Sequence, residues 1–214
     1  MPRKNHQPDD DFEDIEEYSK LDDEKFEAAL LGRRIALLTG KITEEGAGKL
    51  KGDLIGLSLQ SPEKEIILFI NSPGGDMDPG LALYDLITLY LKAPVIGVVG
   101  AECDSAALFV LQGCSKRIAA THSTFLIHPV RNEGARFVYN PSMIDDFIME
   151  IRDKLKGASQ ICNDILKKHS KMSLAEIKQL SFANHGTGTT LSAPEALKKG
   201  LIDEIAKGDK YKIF

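Results

Sequence analysis

The sequence predicts an α/β fold with a largely parallel β-sheet. Short apolar segments of strand length alternate with longer segments of helical periodicity along most of the chain, and this alternation is typical of parallel sheets with crossover helices. The segments over residues 65–70 and 94–99 are nearly all apolar, as strands buried on both faces are. With 214 residues, 43% of them hydrophobic, the chain can bury such a core without disulfides or metal.

Most elements are bounded by a capping residue or a glycine. Thr43 is a suitable N-cap, and the leucines that follow it share one side of a helix. Gly113 ends a short helix that Ser105 opens. The predicted elements of this half are a strand over residues 35–38, a helix over 43–59, a strand over 65–70, a turn over 71–75, a helix over 78–91, a strand over 94–99, a loop over 100–104, a helix over 105–112 and strands over 116–119 and 124–128.

The C-terminal third contains a long predicted helix over about residues 141–168, which opens at Asn140-Pro141. Its apolar residues recur at alternating steps of four and three, which forms a heptad-like seam. The seam either packs on its own domain or projects to meet a partner subunit. Its members are Ile144, Ile148, Ile151, Leu155, Ala158, Cys162 and Ile165.

A capping box at Ser192–Glu195 opens the last predicted helix, which ends at Gly200. Residues 201–205 could form a final strand.

Composition and charge exclude several classes of protein. The net charge of −5 provides no basic field for nucleic acid, and no apolar run reaches the length of a membrane span. The N-terminus shows no signal peptide, and three widely spaced cysteines fit neither a disulfide framework nor a zinc site. We therefore expect a cytoplasmic protein without metal or other cofactors, and without nucleic acid or membrane partners.

Residues 1–27 differ from the rest because acidic residues dominate them. We interpret this segment as a mobile acidic arm, or alternatively as a docking tail for a basic partner. Residues 28–214 contain no linker-like segment, so we predict that they form a single α/β domain.

Two strand-to-helix turns could carry chemistry. Asn71–Gly75 has paired glycines whose N–H groups could form an oxyanion hole, or it is a plain turn. Ser105 opens a helix after a second buried strand, so its hydroxyl lies at the sheet edge, beside the N–H of Ala106. Asp104 and Cys103 are the alternatives to Ser105 as N-cap and as nucleophile, respectively. His128 ends a strand and is the candidate general base.

These segments together resemble the proteolytic subunit of the Clp protease, a serine peptidase of the Clp/crotonase fold. The similarity covers about residues 28–207, and Asn-Ser-Pro-Gly-Gly with a downstream Ile-His-Pro is a specific combination. The matching segments are Arg33–Leu38, Glu65–Gly75, Gly80–Asp85, Gly100–Ala107, Lys116-Arg117, Phe125–Pro129, Ser192–Ala196 and Gly200–Asp203. The resemblance implies a spiral of strand-strand-helix units with a projecting long helix.

The resemblance also implies site residues and an assembly. It assigns Ser105 as nucleophile, if one residue is inserted after Gly100, and His128 as general base; Gly75 and Ala106 would form the oxyanion hole. It further implies a homo-oligomer of stacked rings that hydrolyses polypeptides, with an ATP-dependent unfoldase or a paralogous Clp subunit as a further partner. The N-terminal segment lacks the family's usual axial-loop sequence, which puts docking to a standard unfoldase in doubt.

One member of the family's catalytic triad is absent. The triad aspartate corresponds in position to Gly188, so activity is expected to be reduced unless another group, such as Asn184 or His185, substitutes. Two other functions therefore stay open. One is a catalytically weak or inactive subunit of a mixed ring. The other is a crotonase-type acyl-CoA enzyme that would use Glu102 and Asp104.

Overall fold

The computed structural model describes residues 24–131, 143–208, 211 and 213. Residues 24–32 are helical and are labelled α1. The following elements are β1 (Ile35–Thr39), α2 (Glu44–Gln60), β2 (Ile66–Ser72), α3 (Met77–Asp85), β3 (Val95–Cys103), α4 (Ala106–Gly113), β4 (Lys116–Ala119), β5 (Thr124–Ile127), α5 (Ile144–His169), α6 (Leu174–Gly186), β6 (Thr189–Ser192), α7 (Ala193–Lys199) and β7 (Glu204–Ile205).

The main sheet is parallel, in the order β1-β2-β3-β4-β7. Burial alternates along β2, where Ile66, Leu68 and Ile70 are fully buried and Ile67 and Phe69 are half-buried. The apolar sequence had predicted burial on both faces, whereas only one face of this strand is fully covered within the chain. The predicted mixed α/β fold with a parallel sheet is confirmed.

Strand β3 is longer than predicted. Residues 100–104 were expected to form a loop, but β3 continues to Cys103, where it pairs with Ser72 of β2. The glycine at position 100 does not break the strand. It allows close packing instead, because a Cβ there would lie 2.5 Å from the ring of Phe69. Tertiary pairing therefore overrides the local signal for a loop.

The extended end of β3 begins a second, smaller sheet. Glu102 pairs with Thr124 of β5 in parallel, and β5 pairs with β6 in the antiparallel direction. Neither β6 nor α6 was predicted from the sequence. β5 ends one residue before His128, so this small sheet determines where that histidine lies.

The helices predicted between residues 43 and 112 are present, and one of them is divided. Leu50, Leu54 and Leu57 of α2 are buried, and Thr43 caps the helix through the N–H of Gly46. The helix predicted over 78–91 divides into α3 and a π-helical turn over Leu86–Tyr90, which closes with a hydrogen bond from the Leu91 N–H to the Leu86 carbonyl.

The capping box is present as predicted. Ser192 and Glu195 cap α7 reciprocally, and Gly200 ends it in the left-handed conformation at φ 74°. The final strand is shorter than predicted, because it includes only Glu204–Ile205.

Helix α5 packs on the domain over its C-terminal part only. Cys162, Ile165 and Leu166 are buried against the rest of the chain, whereas Ile144 and Ile148 are 41% and 47% exposed. The seam therefore packs on the domain at its C-terminal end. At its N-terminal end, the described residues leave an apolar face of the helix partly exposed. The predicted start of this helix, at residues 140–142, lies outside the described residues.

The proposed acidic arm also lies mostly outside the described residues. Its predicted boundary, at residue 27, falls within the helical stretch over 24–32, and the division into an arm and a domain stays a prediction. Within the parts of the chain that the structure describes, no helix is long and apolar enough to span a membrane.

Candidate active site

Ser105 lies at a sharp turn between strand β3 and helix α4. Its backbone has φ 53° and ψ −122°, a conformation that costs free energy for a residue with a Cβ. Although Ser105 is the N-cap of α4, its hydroxyl makes no capping hydrogen bond. The hydroxyl is therefore available for another partner, in contrast to an ordinary capping serine.

That partner is His128. The Oγ of Ser105 and the Nε2 of His128 are 2.8 Å apart, and both residues are half-buried. The Nδ1 of His128 is 2.7 Å from the carbonyl oxygen of Pro129. A carbonyl oxygen can only accept, so Nδ1 carries the proton and Nε2 is the acceptor for the Ser105 O–H. This tautomer is the one that a general base needs.

Gly188 packs directly against His128. A Cβ at Gly188 would lie 2.6 Å from the Cβ of His128 and would also collide with the carbonyl oxygen of Ile127. Gly188 has φ 97° as well, which disfavours any side chain. Position 188, where the resemblance had led us to expect an aspartate, therefore has no space for a carboxylate in this fold.

Neither Asn184 nor His185 takes the place of that aspartate among the described residues. The side-chain amide of Asn184 donates to the carbonyl of Gly188 at 2.9 Å, and the His185 side chain is exposed. Both residues have positive φ. They shape the turn that brings Gly188 against His128. The Nδ1 of His128 is instead oriented by the Pro129 carbonyl, a partner that was not predicted from the sequence.

The candidate oxyanion hole lies where the glycine turn meets the Ser105 turn. The backbone of Gly74 is so close to Ser105 that an added Cβ would lie 2.7 Å from the Ser105 Cβ and 3.0 Å from the Ala106 nitrogen. The Gly74 N–H is bound by the Ser72 hydroxyl at 3.1 Å. In the described parts of the chain, the N–H groups of Gly75 and Ala106 have no acceptor, so they could bind an oxyanion.

The alternative nucleophiles are placed differently. Cys103 is fully buried, and burial raises the pKa of its thiol well above the usual value, with the Asp104 charge acting in the same direction. Asp104 does not cap α4, because its Oδ1 accepts a hydrogen bond from the Leu126 N–H at 2.7 Å. Of these three residues, only Ser105 has a hydroxyl or thiol in contact with His128.

A cleft of about 1210 Å³ opens in front of these groups. Apolar side chains from α3, α4, β5, α5 and α6 line much of it, and charged side chains lie among them. Over the described residues, no cluster of three or more histidine, cysteine or acidic side chains could hold a metal ion. The apolar lining of the cleft includes Met77, Leu126, Ile151, Leu155 and Phe182. The charged lining of the cleft includes Lys41, Glu44, Asp76, Asp78, Arg131 and Lys154.

The family model of the Clp protease matches residues 20–209. The match includes both turns of the site, the strand that leads to His128 and the Gly188 segment. Because it spans most of the 214 residues, this chain belongs to the Clp protease family.

Proposed function

We propose that this chain is a serine peptidase, the proteolytic subunit of a Clp-type protease, which hydrolyses peptide bonds inside an oligomeric chamber. The observation that carries the proposal is the hydrogen bond between Ser105 Oγ and His128 Nε2, at 2.8 Å, in a cleft large enough for a peptide. Membership of the Clp protease family supports a peptidase rather than an acyl-CoA enzyme.

In this mechanism, the Ser105 oxygen attacks the carbonyl carbon of the scissile peptide while Nε2 of His128 accepts the hydroxyl proton. The N–H groups of Gly75 and Ala106 bind the negative oxygen of the tetrahedral intermediate. His128 then donates the proton to the leaving amine, and an acyl-enzyme forms on Ser105. Water activated by His128 releases the acid product and restores the serine.

The Pro129 carbonyl substitutes for one part of the missing aspartate's role. It holds the Nδ1 proton and so the correct tautomer, but as a neutral group it stabilises the imidazolium less than a carboxylate would. When a serine protease loses both the carboxylate and the correct histidine tautomer, its rate falls on the order of 10⁴-fold. We expect a smaller deficit here, because only the charge is missing.

A catalytically weak subunit of a mixed ring is the second candidate, and the exclusion of a side chain at position 188 favours it. The two candidates differ in the reactivity of Ser105. We also propose that the chain assembles into stacked rings through the exposed apolar face of α5, as its family membership suggests.

A fluorophosphonate probe tests the proposed function. Attack by the Ser105 oxygen on phosphorus expels fluoride and leaves a covalent adduct, and it requires the His128 base and an oxyanion hole. We expect a single adduct, located on the peptide that contains Ser105 by mass spectrometry, and hydrolysis of unstructured polypeptides. An unlabelled Ser105 in the assembled, folded protein would favour the inactive subunit.

A further inference from the structure

The carboxylate of Asp104, the residue before the nucleophile, binds the strand that carries the general base. Its Oδ1 accepts a hydrogen bond from the Leu126 N–H at 2.7 Å. Leu126 belongs to β5, two residues before His128. In a regular parallel pairing, this N–H would donate to a main-chain carbonyl of the neighbouring strand. A side chain takes the place of that carbonyl here.

A second hydrogen bond completes the attachment. The Ser105 N–H donates to the Leu126 carbonyl at 3.0 Å, so both backbone groups of Leu126 bind the Asp104-Ser105 dipeptide. The regular pairing between β3 and β5 consists of one residue pair, Glu102 with Thr124. The separation between the Ser105 and His128 side chains therefore depends strongly on these two hydrogen bonds.

The Asp104 backbone is fixed on its other side. Its N–H donates to the Ser72 carbonyl, and its own carbonyl accepts from the Ala107 N–H, both at 3.0 Å. These bonds tie Asp104 to β2 and to the first turn of α4. Its carboxylate therefore extends from a rigid base, and the acceptor atom has little freedom to follow if β5 moves.

We propose that Asp104 is a positioning residue for the peptidase reaction: its carboxylate oxygen holds β5 so that Nε2 of His128 stays within hydrogen-bond reach of Ser105. The inference rests on the proposed function. Asp104 acts through Leu126, and the property it supplies is a hydrogen-bond acceptor rather than a negative charge.

The electrostatic environment of the carboxylate agrees with this role. Burial raises the pKa of Asp104, and the Glu102 charge raises it further; the Leu126 N–H and the His128 ring act in the opposite direction, and the net shift is upward. A carboxylate in this position is costly to ionise. Asparagine would offer an equivalent oxygen without that cost, which gives the proposal a sharp test.

The experiment compares Asp104→Asn, Asp104→Ala and wild type as full-length, assembled proteins. Asp104→Asn keeps an acceptor for Leu126, whereas Asp104→Ala removes it. We expect the second-order rate constant of fluorophosphonate labelling to fall about 10- to 100-fold in Asp104→Ala, because a displacement near 1 Å can reduce a rate on the order of 100-fold. Asp104→Asn should stay within about threefold of wild type.

Three further measurements separate positioning from general destabilisation. Amide hydrogen exchange at Leu126 should accelerate in Asp104→Ala and stay slow in Asp104→Asn. In peptide hydrolysis, kcat should fall with KM nearly unchanged. Glu102→Ala removes a different carboxylate, two residues earlier in the chain, and should label at the wild-type rate.

Labelling of Asp104→Ala at the wild-type rate would overturn the inference, and so would an Asp104→Asn variant as slow as Asp104→Ala, since charge would then be the property that matters. If Asp104→Ala does not fold, Asp104→Glu replaces it. This variant keeps the charge but displaces the acceptor by one methylene, and labelling as fast as that of Asp104→Asn would overturn the inference. An unreactive wild type would overturn the proposed function itself, together with this inference.

Discussion

Gly188 lies against His128 so closely that no side chain fits between them: an added Cβ would be 2.6 Å from the histidine Cβ. Positive φ angles at residues 184–186 and at Gly188 bring the backbone to this position. Arg131 holds the same turn by donating to the carbonyls of Gly186 and Thr187. The local backbone therefore excludes a carboxylate side chain at position 188.

The first prediction follows from this contact. Gly188→Asp, which introduces a carboxylate at this position, should lower both stability and activity instead of increasing activity, because the new side chain collides with β5 and is strained at φ 97°. We expect a loss of about 1–3 kcal/mol in unfolding free energy, measured by chemical denaturation. Gly186→Asp is the control, since it has a similar φ, 81°, but open space around its Cβ. A Gly188→Asp variant more active than wild type would contradict the geometry.

The second prediction concerns the nucleophile. Ser105→Ala should abolish fluorophosphonate labelling and peptide hydrolysis, because it removes the oxygen that contacts His128. Cys103→Ala should leave labelling within about threefold of wild type, because the Cys103 thiol is buried and its pKa is raised. Intact-mass spectrometry gives the extent of labelling. Labelling that survives Ser105→Ala would show that another residue is the nucleophile.

The third prediction concerns assembly through α5. Ile148→Asp should weaken the oligomer, because it places a charge on the exposed part of the apolar seam. Met149→Asp is a matched control, with the same type of change one residue further along and off the seam. Light scattering should give a smaller mass for Ile148→Asp at micromolar concentration and an unchanged mass for Met149→Asp. Equal masses for both variants would place the subunit contact elsewhere.

The fourth prediction concerns acid stability. The pKa of Asp203 lies below its usual value. Burial acts to raise this pKa, but the hydrogen bonds and charge of Arg117 outweigh the effect of burial. A carboxylate with a lowered pKa in the folded state stabilises the fold above its unfolded pKa, near 4, and this contribution disappears as the pH falls through the folded pKa. Asp203→Asn should therefore cost about 1–2 kcal/mol at pH 7, a figure reduced for partial exposure.

The measurement for Asp203 is the difference in unfolding free energy between Asp203→Asn and wild type as a function of pH. We expect the difference to shrink below about pH 4. Glu204→Gln is the control, because Glu204 pairs with the more exposed Lys116 at 3.0 Å; it should cost less than about 1 kcal/mol. A difference that stays constant down to pH 2 would contradict the assignment.

The sequence alone determined the parallel sheet and the principal helices, because apolar periodicity and capping residues are local signals. Leu50, Leu54 and Leu57 lie on the buried side of α2, and the Ser192–Glu195 capping box opens α7, as predicted. The sequence also predicted the candidate nucleophile and base, since Ser105 opens a helix after a buried strand and His128 follows the end of another. Their catalytic roles stay predictions.

The tertiary structure decided everything that depends on contacts between distant segments. Whether residues 100–104 form a loop depended on pairing with Ser72 and Thr124. The orienting partner of His128 is a backbone carbonyl, which carries no sequence signal. Asp104 had the local signature of an N-cap, yet its carboxylate binds Leu126, 22 residues away along the chain. The chemistry of a side chain limits which hydrogen bonds it can make, and only the packed fold brings a particular partner within hydrogen-bond distance.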